Sequence, residues 1–267
     1  MRPICVSLGC IRGGSSMSKR IALLCLACIV AVPAFAQSAP FNEKGVALGH
    51  VHLIVKDPEA QKKLWVELFG AEVAHAGALE LLKLPGTIIL LTKGEPVQEG
   101  EPTADHFALA VRDLAAIKSK LAAAGIQLSE RSIAVLPEGV RVEILEDKNL
   151  NVPVAFHHFH IFSNDPALAQ WYEDIFGIRF PAGSGFPGGE VRFMVQQDPP
   201  RVATKGHVFD HISFEAKDLE EFCRRLEARD VKLDMKIVEA KQIGLKVTFV
   251  TDPAGTRIEL TQGLAGR

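Results

Sequence analysis

The stretch that decides the fold is GHVHLIVKDP, residues 49–58. It recurs as HHFHIFSNDP at 157–166, 108 residues further on. A second pair shares a related pattern, DHFALAVRDL at 105–114 and DHISFEAKDL at 210–219, offset by 105 residues. In each, a histidine enters a short apolar strand and an aspartate follows seven residues later, at Asp57, Asp113, Asp165 and Asp218. The order is A-B-A-B, a duplicated pair duplicated again. A repeat of this kind sets the architecture before any single element does, and it places histidines at equivalent points of each unit.

Each unit reads as strand, helix, then strands. Val51 to Val55 alternates as a strand, Asp57 suits a helix N-cap, and Pro58 suits the first turn. Leu64, Leu68 and Phe69 mark one side of that helix, and Gly70 ends it. Helices are predicted again over Leu114 to Ala124, across WYEDIF before Gly177, and over Leu219 to Ala228. Strands follow at Leu79 to Leu82, Thr87 to Leu91, Val140 to Leu145, Glu190 to Val195 and Lys246 to Val250. The expected class is α+β, a βαβββ module repeated four times. Modules one and two occupy 47–155, and modules three and four occupy 156–265.

Composition narrows the function classes. The 267 residues are 48% hydrophobic, enough for one large core or two ordinary ones, and a net charge of −2 does not suggest nucleic-acid binding. Residues 1–36 read as a leader. Lys19-Arg20 precede the apolar run Ile21 to Val32, and Ala34-Phe35-Ala36 offers a cleavage site, the layout of a secretory signal peptide. Met1 and Met17 are both candidate starts. The expected location is periplasmic or secreted, with no membrane span after cleavage. Four of the five cysteines lie in this leader. Cys223 alone remains, so no internal disulfide is expected.

The four His-to-Asp units and the closing DPAGTRIEL, residues 252–260, resemble the vicinal oxygen chelate superfamily. That superfamily includes glyoxalase I, fosfomycin-resistance proteins, bleomycin-binding proteins and extradiol dioxygenases. The resemblance covers about residues 47–265 and is specific for fold rather than reaction. It implies four βαβββ modules paired into two domains with cup-shaped mixed sheets, with metal ligands from the first strand of each module and the last strand of a module. Carried onto this sequence, it gives His158, His211 and Glu259 in the second pair. Two imidazoles and a carboxylate suit one divalent ion (Fe, Mn, Ni, Co or Zn) with positions left for a chelating substrate. Alternation puts His158 and His160 on one face and His157 on the other. No catalytic group is fixed: His160 reads as a base, a partner behind the ligands or a packed core histidine, and Gln196 stands near the place of a histidine that the resembled dioxygenases use.

In the first pair, His50 and His106 match ligand positions, but the closing strand is read as EDKNLNVPVAF, with Val154 where glutamate would fall. That pair is expected to be metal-free. Three functions stay open. A glyoxalase-like metalloenzyme acting on a small oxygen-bearing substrate lacks the fourth-ligand glutamate, whose place falls at Phe193 or Met194. An extradiol dioxygenase lacks the expected tyrosine, where Phe249 stands. A binder of the bleomycin-resistance kind would need no metal. The partner expected is a small molecule. A monomer suffices, because one chain completes both cups, and a homodimer remains open. Trp65, Trp171 and Tyr172 read as core, Cys223 as buried and inert, and Phe180 and Phe186 as flanking a glycine-rich loop at 181–189. Arg192 reads either as a solvated strand residue or as a contact for an anionic substrate.

Overall fold

The computed structural model describes residues 40–178, 189–195 and 200–264. The leader, Phe180 and Phe186 with most of their loop, and Gln196 lie outside the described residues. The described chain falls within one compact unit.

The first module runs β1 (Val46–Val55), α1 (Pro58–Phe69), β2 (Glu72–Ala76), β3 (Leu79–Leu84) and β4 (Thr87–Lys93). The second is β5 (Phe107–Val111), α2 (Leu114–Ala123), β6 (Ile133–Val135) and β7 (Arg141–Glu146). The third is β8 (Val154–Phe162), α3 (Ala167–Phe176) and β9 (Glu190–Met194). The fourth is β10 (Phe209–Ala216), α4 (Leu219–Glu227), β11 (Val238–Ala240), β12 (Leu245–Thr251) and β13 (Arg257–Gln262).

The repeated aspartate has a local cause. Asp57, Asp113 and Asp218 each accept a hydrogen bond from the backbone N–H three residues on, at 3.0, 2.9 and 2.9 Å. Asp165 accepts from Ala167 at 2.8 Å. These bonds satisfy donors that the first helical turn leaves unpaired. Gly70 and Gly177 close α1 and α3 in the left-handed conformation, which glycine adopts without a Cβ penalty.

The sheets differ from the expected pairing. An eight-stranded sheet has the order β11-β12-β13-β10-β1-β4-β3-β2, and a five-stranded sheet has β6-β7-β5-β8-β9. Module one therefore joins module four, and module two joins module three, rather than one with two and three with four. The connections explain this. β7 lies parallel to β5 on one side. The link 147–153 then carries the chain around to β5's other side, where β8 pairs antiparallel. The links between modules one and two and between three and four lie side by side. Thr103 N–H donates to Val202 O at 2.8 Å, and Val202 N–H donates to Glu101 O at 2.9 Å. The expected boundary at 155/156 falls inside β8.

Module two is also one strand shorter than expected. Its last strand is β7, and residues 147–153 are the link rather than a closing strand. Val154 opens β8.

The core lies between the sheets and helices. Trp65 and Tyr172 are fully buried, and Trp171 packs against the same cluster. Cys223 is buried, and burial pushes its thiol up to about 11. Along β1, Val51, Leu53 and Val55 join this core, so alternation turns His50 and His52 to the opposite face. A smaller apolar cluster gathers Ala76, Leu81, Ile88, Leu90, Leu245 and Leu264. No helix among the described residues is long and apolar enough to cross a membrane.

Candidate metal centres

The antiparallel contact of β1 with β10 sets His52 opposite His211. The parallel contact of β10 with β13 sets Ser213 opposite Glu259. These registers bring four donors together: His50, His52, His211 and Glu259 each offer a ligand atom within 4.8 Å of the others. His50 Nε2 lies 3.0 Å from Glu259 Oε2, and His211 Nε2 lies 2.6 Å from the same oxygen. This is site I.

The remaining ring nitrogens are tied down from behind. Asp210 bonds His211 Nδ1 and is itself held by Arg257 Nη1 at 2.6 Å and by the Gly206 N–H at 2.6 Å. Ser213 Oγ lies 2.8 Å from His50 Nδ1. Both contacts engage Nδ1 and leave Nε2 facing the carboxylate, as in a carboxylate–histidine–metal relay. His52 places Nε2 2.7 Å from Thr92 Oγ1, while its Nδ1 is buried without a hydrogen-bond partner among the described residues.

The electrostatics suit ligation. Burial, then His211 and His50, holds His52 down to about 3, so its ring is neutral near pH 7. Burial disfavours charge on Glu259, but His50 and His211 outweigh it and hold the carboxyl well below its usual range. Burial opposes protonation of His211, and its contacts with Asp210 and Glu259 outweigh that and raise it.

The five-stranded sheet repeats the construction. Ala108 of β5 pairs with Glu143 of β7 on one side and His158 of β8 on the other. His106, Glu143 and His160 offer donors within 4.8 Å of one another. Glu143 Oε2 lies 3.1 Å from both His158 Nε2 and His160 Nε2, and those two nitrogens are in contact. This is site II. Asp105 lies 2.5 Å from His106 Nδ1, with Arg141 Nη1 at 2.9 Å and Arg201 Nη1 at 3.2 Å. Asp105, His106, Arg141 and Glu143 thus reproduce Asp210, His211, Arg257 and Glu259. His158 and His160 reproduce His50 and His52. One detail differs: Ala108 stands where Ser213 does, and His158 Nδ1 meets His157 Nδ1 at 2.8 Å instead. Burial, opposed by Glu143, lowers His158 to about 4. The close contacts with His158 and His160 outweigh burial and hold Glu143 well below the carboxylate range.

The expected ligand set is therefore divided. His211 and Glu259 come together, but His158 belongs to the other sheet, because modules three and four do not share one. His50 and His106, expected to be without a carboxylate, each sit in a cluster that has one. His160 stands among the site II donors rather than behind them. Glu143 is not among the expected ligands, because the sequence pattern puts the closing strand of module two after it. The sequence did carry a signal: RVEIL at 141–145 matches RIEL at 257–260. On the neighbouring strands, β9 sets Glu190 beside His158 and Arg192 beside His160, and β4 sets Ile88 beside His50 and Leu90 beside His52.

The fold and paired clusters define a protein built on duplicated cups lined with histidine and glutamate. Residues 155–260 match the model of the Glyoxalase/Bleomycin resistance protein/Dioxygenase superfamily. Its fold is similar to a mutant of glyoxalase I from Zea mays (TM-score 0.66, 13% identity, covering 82% of this chain and 94% of that one). It is also similar to a putative dioxygenase from Bacillus subtilis subsp. subtilis str. 168 (TM-score 0.63, 15% identity, covering 85% and 86%). No curated protein matches the sequence. At these identities the solved structures establish fold alone.

Proposed function

We propose that this chain is a metalloenzyme with a divalent ion in each cluster, acting on a small substrate that chelates through two oxygens. The carrying observation is the twice-built unit of three imidazoles and one carboxylate, with an aspartate and arginine behind it. The residues fit an ion. Cis ligands about 2.1 Å from one centre are roughly 3 Å apart, and the pairs His50–Glu259, His158–Glu143 and His160–Glu143 lie at that spacing. Glu143 Oε2 lacks a well-formed hydrogen bond despite its two close nitrogens, and His52 Nδ1 and His160 Nδ1 are buried without partners among the described residues.

His50, His52, His211 and Glu259 would hold one ion, and His106, His158, His160 and Glu143 the other. Such an ion supplies Lewis acidity that stabilises negative charge developing on a substrate oxygen. Asp210 and Asp105 fix the tautomers of His211 and His106. The buried sheet faces limit water around both clusters.

The protein donors would leave room at a bound ion for a small chelating substrate, which suits a glyoxalase-like reaction. Phe249, whose ring lies 5.2 Å from that of His211, brings no hydroxyl where the dioxygenase reading wants one. A purely sequestering protein has no use for the repeated aspartate–histidine relay.

The test strips the protein with chelator and reloads it with Mn(II), Co(II), Ni(II) or Zn(II). Small 2-oxo and 2-hydroxy carbonyl compounds are then followed by proton NMR in D2O. Metal-dependent deuterium uptake beside the carbonyl supports the reading, and no exchange with any metal rejects it. We also propose export, on the strength of residues 19–36. A reporter fused after Ala36 that stays inside the cell would reject that.

A further inference from the structure

The two sites share their ligands but not their walls. Neighbouring residues on paired strands face the same side of a sheet. Beside site I, β4 sets Ile88 against His50 and Leu90 against His52. Both are buried in the smaller apolar cluster. Beside site II, β9 sets Glu190 against His158 and Arg192 against His160. A charged pair thus occupies the positions that are apolar in the other cup.

Arg192 is held but not spent. Its Nε and Nη2 each lie 3.0 Å from Glu190 Oε2, and the two side chains remain 33% and 21% exposed. Arg141 and Arg201 both bind Asp105 behind His106, whereas Arg192 stands on the histidine face. Burial lowers the rings of His157 and His158 first of all, and the nearby Arg192 charge adds to it. Glu143 faces the same imidazoles and is engaged by them. A guanidinium binds a carboxylate through two parallel N–H donors, and a ligand carboxylate could take the place of Glu190.

We propose that site II binds a small carboxylate with an oxygen on its second carbon, a 2-hydroxy or 2-oxo acid. Arg192 fixes the anionic end, while site I, with Leu90 at the equivalent place, does not select for negative charge. This specificity rests on reading the clusters as metal centres, so the test separates the two.

The probe is oxalate, measured by calorimetry on the Glu259→Gln chain, which keeps only site II intact. Binding is measured with Mn(II) and again after chelation. Arg192→Leu is expected to weaken oxalate binding about tenfold or more, the scale of losing charge-assisted hydrogen bonds, with Mn(II) affinity and circular dichroism unchanged. Arg192→Lys should recover part of the loss, and Glu190→Gln should tighten binding by removing the competing carboxylate. Equal oxalate affinity in Arg192→Leu and its parent would overturn the assignment. A chain that takes no Mn(II) would sink the metal reading instead. In that case Arg192-dependent oxalate binding to the metal-free protein still upholds the anion site, and its absence overturns it.

Discussion

His50 and Glu259 stand 209 residues apart in sequence, yet His50 Nε2 lies 3.0 Å from Glu259 Oε2. The contact joins the first strand of the first module to the last strand of the fourth. It makes His50 part of site I. His50→Ala is therefore expected to lower metal content by one ion per chain, as Glu259→Gln does. Retention of full metal by His50→Ala would remove it from the site.

The aspartates behind the histidines should tune affinity without being ligands. Asp210→Asn leaves His211 Nδ1 with a poorer partner and frees Arg257. Metal affinity at site I is expected to fall about 10–100-fold, with site II unaffected. Asp105→Asn should do the converse. Competition with a coloured chelator reads both, and an unchanged affinity would show that the relay does not matter.

Gly49 lets β1 approach β10. A Cβ there would collide with Ser213 Oγ and sit 2.9 Å from the Ser213 carbonyl carbon. Gly49→Ala should destabilise the chain by about 1–3 kcal/mol through overpacking and disturb the Ser213–His50 contact, lowering site I occupancy. Wild-type melting with normal site I metal would contradict this.

Acid should destabilise the metal-free protein. His52 and His158 are held near 3 and 4, below their ordinary 6.5. The unfolded chain therefore binds more protons than the folded one in that window, and stability falls as the pH drops from about 6.5 toward 4. Each such histidine contributes at most about 1.4 kcal/mol per pH unit there. Glu143 and Glu259, whose folded carboxyls are depressed, add losses in the same direction below about 4.5. His211 is raised and acts oppositely, losing its contribution as the pH climbs through its folded value. Thermal melts of chelated protein across pH 4–7 should show a falling midpoint on the acid side. A flat profile would mean that these groups are not neutral imidazoles and bound carboxylates in the fold.

Much of the fold was legible because local chemistry repeats with the sequence. Asp57, Asp113 and Asp218 cap helices, and alternation around His50 and His158 sets their face. Which modules share a sheet was not legible, because four similar units can pair in more than one way and only the short link 147–153 decides. That ambiguity misassigned His158 to Glu259. Glu143 was hidden differently: module two lacks a strand, so Val140 to Leu145 reads as an inner strand and the segment EDKNLNVPVAF beyond it as the closing one. Arg192 was visible as a residue, but its place beside His160 needed the β8–β9 register.

The central claim is that the chain builds two separate metal centres, each from one odd and one even module. The most direct test is metal content by elemental analysis after Mn(II) loading and removal of free ion. The wild type, His158→Ala, Glu259→Gln and the double variant are expected to hold about two, one, one and no ions per chain, given the donor sets of the two clusters. One ion in the wild type, lost completely in either single variant, would contradict it, because His158 and Glu259 would then share a single centre.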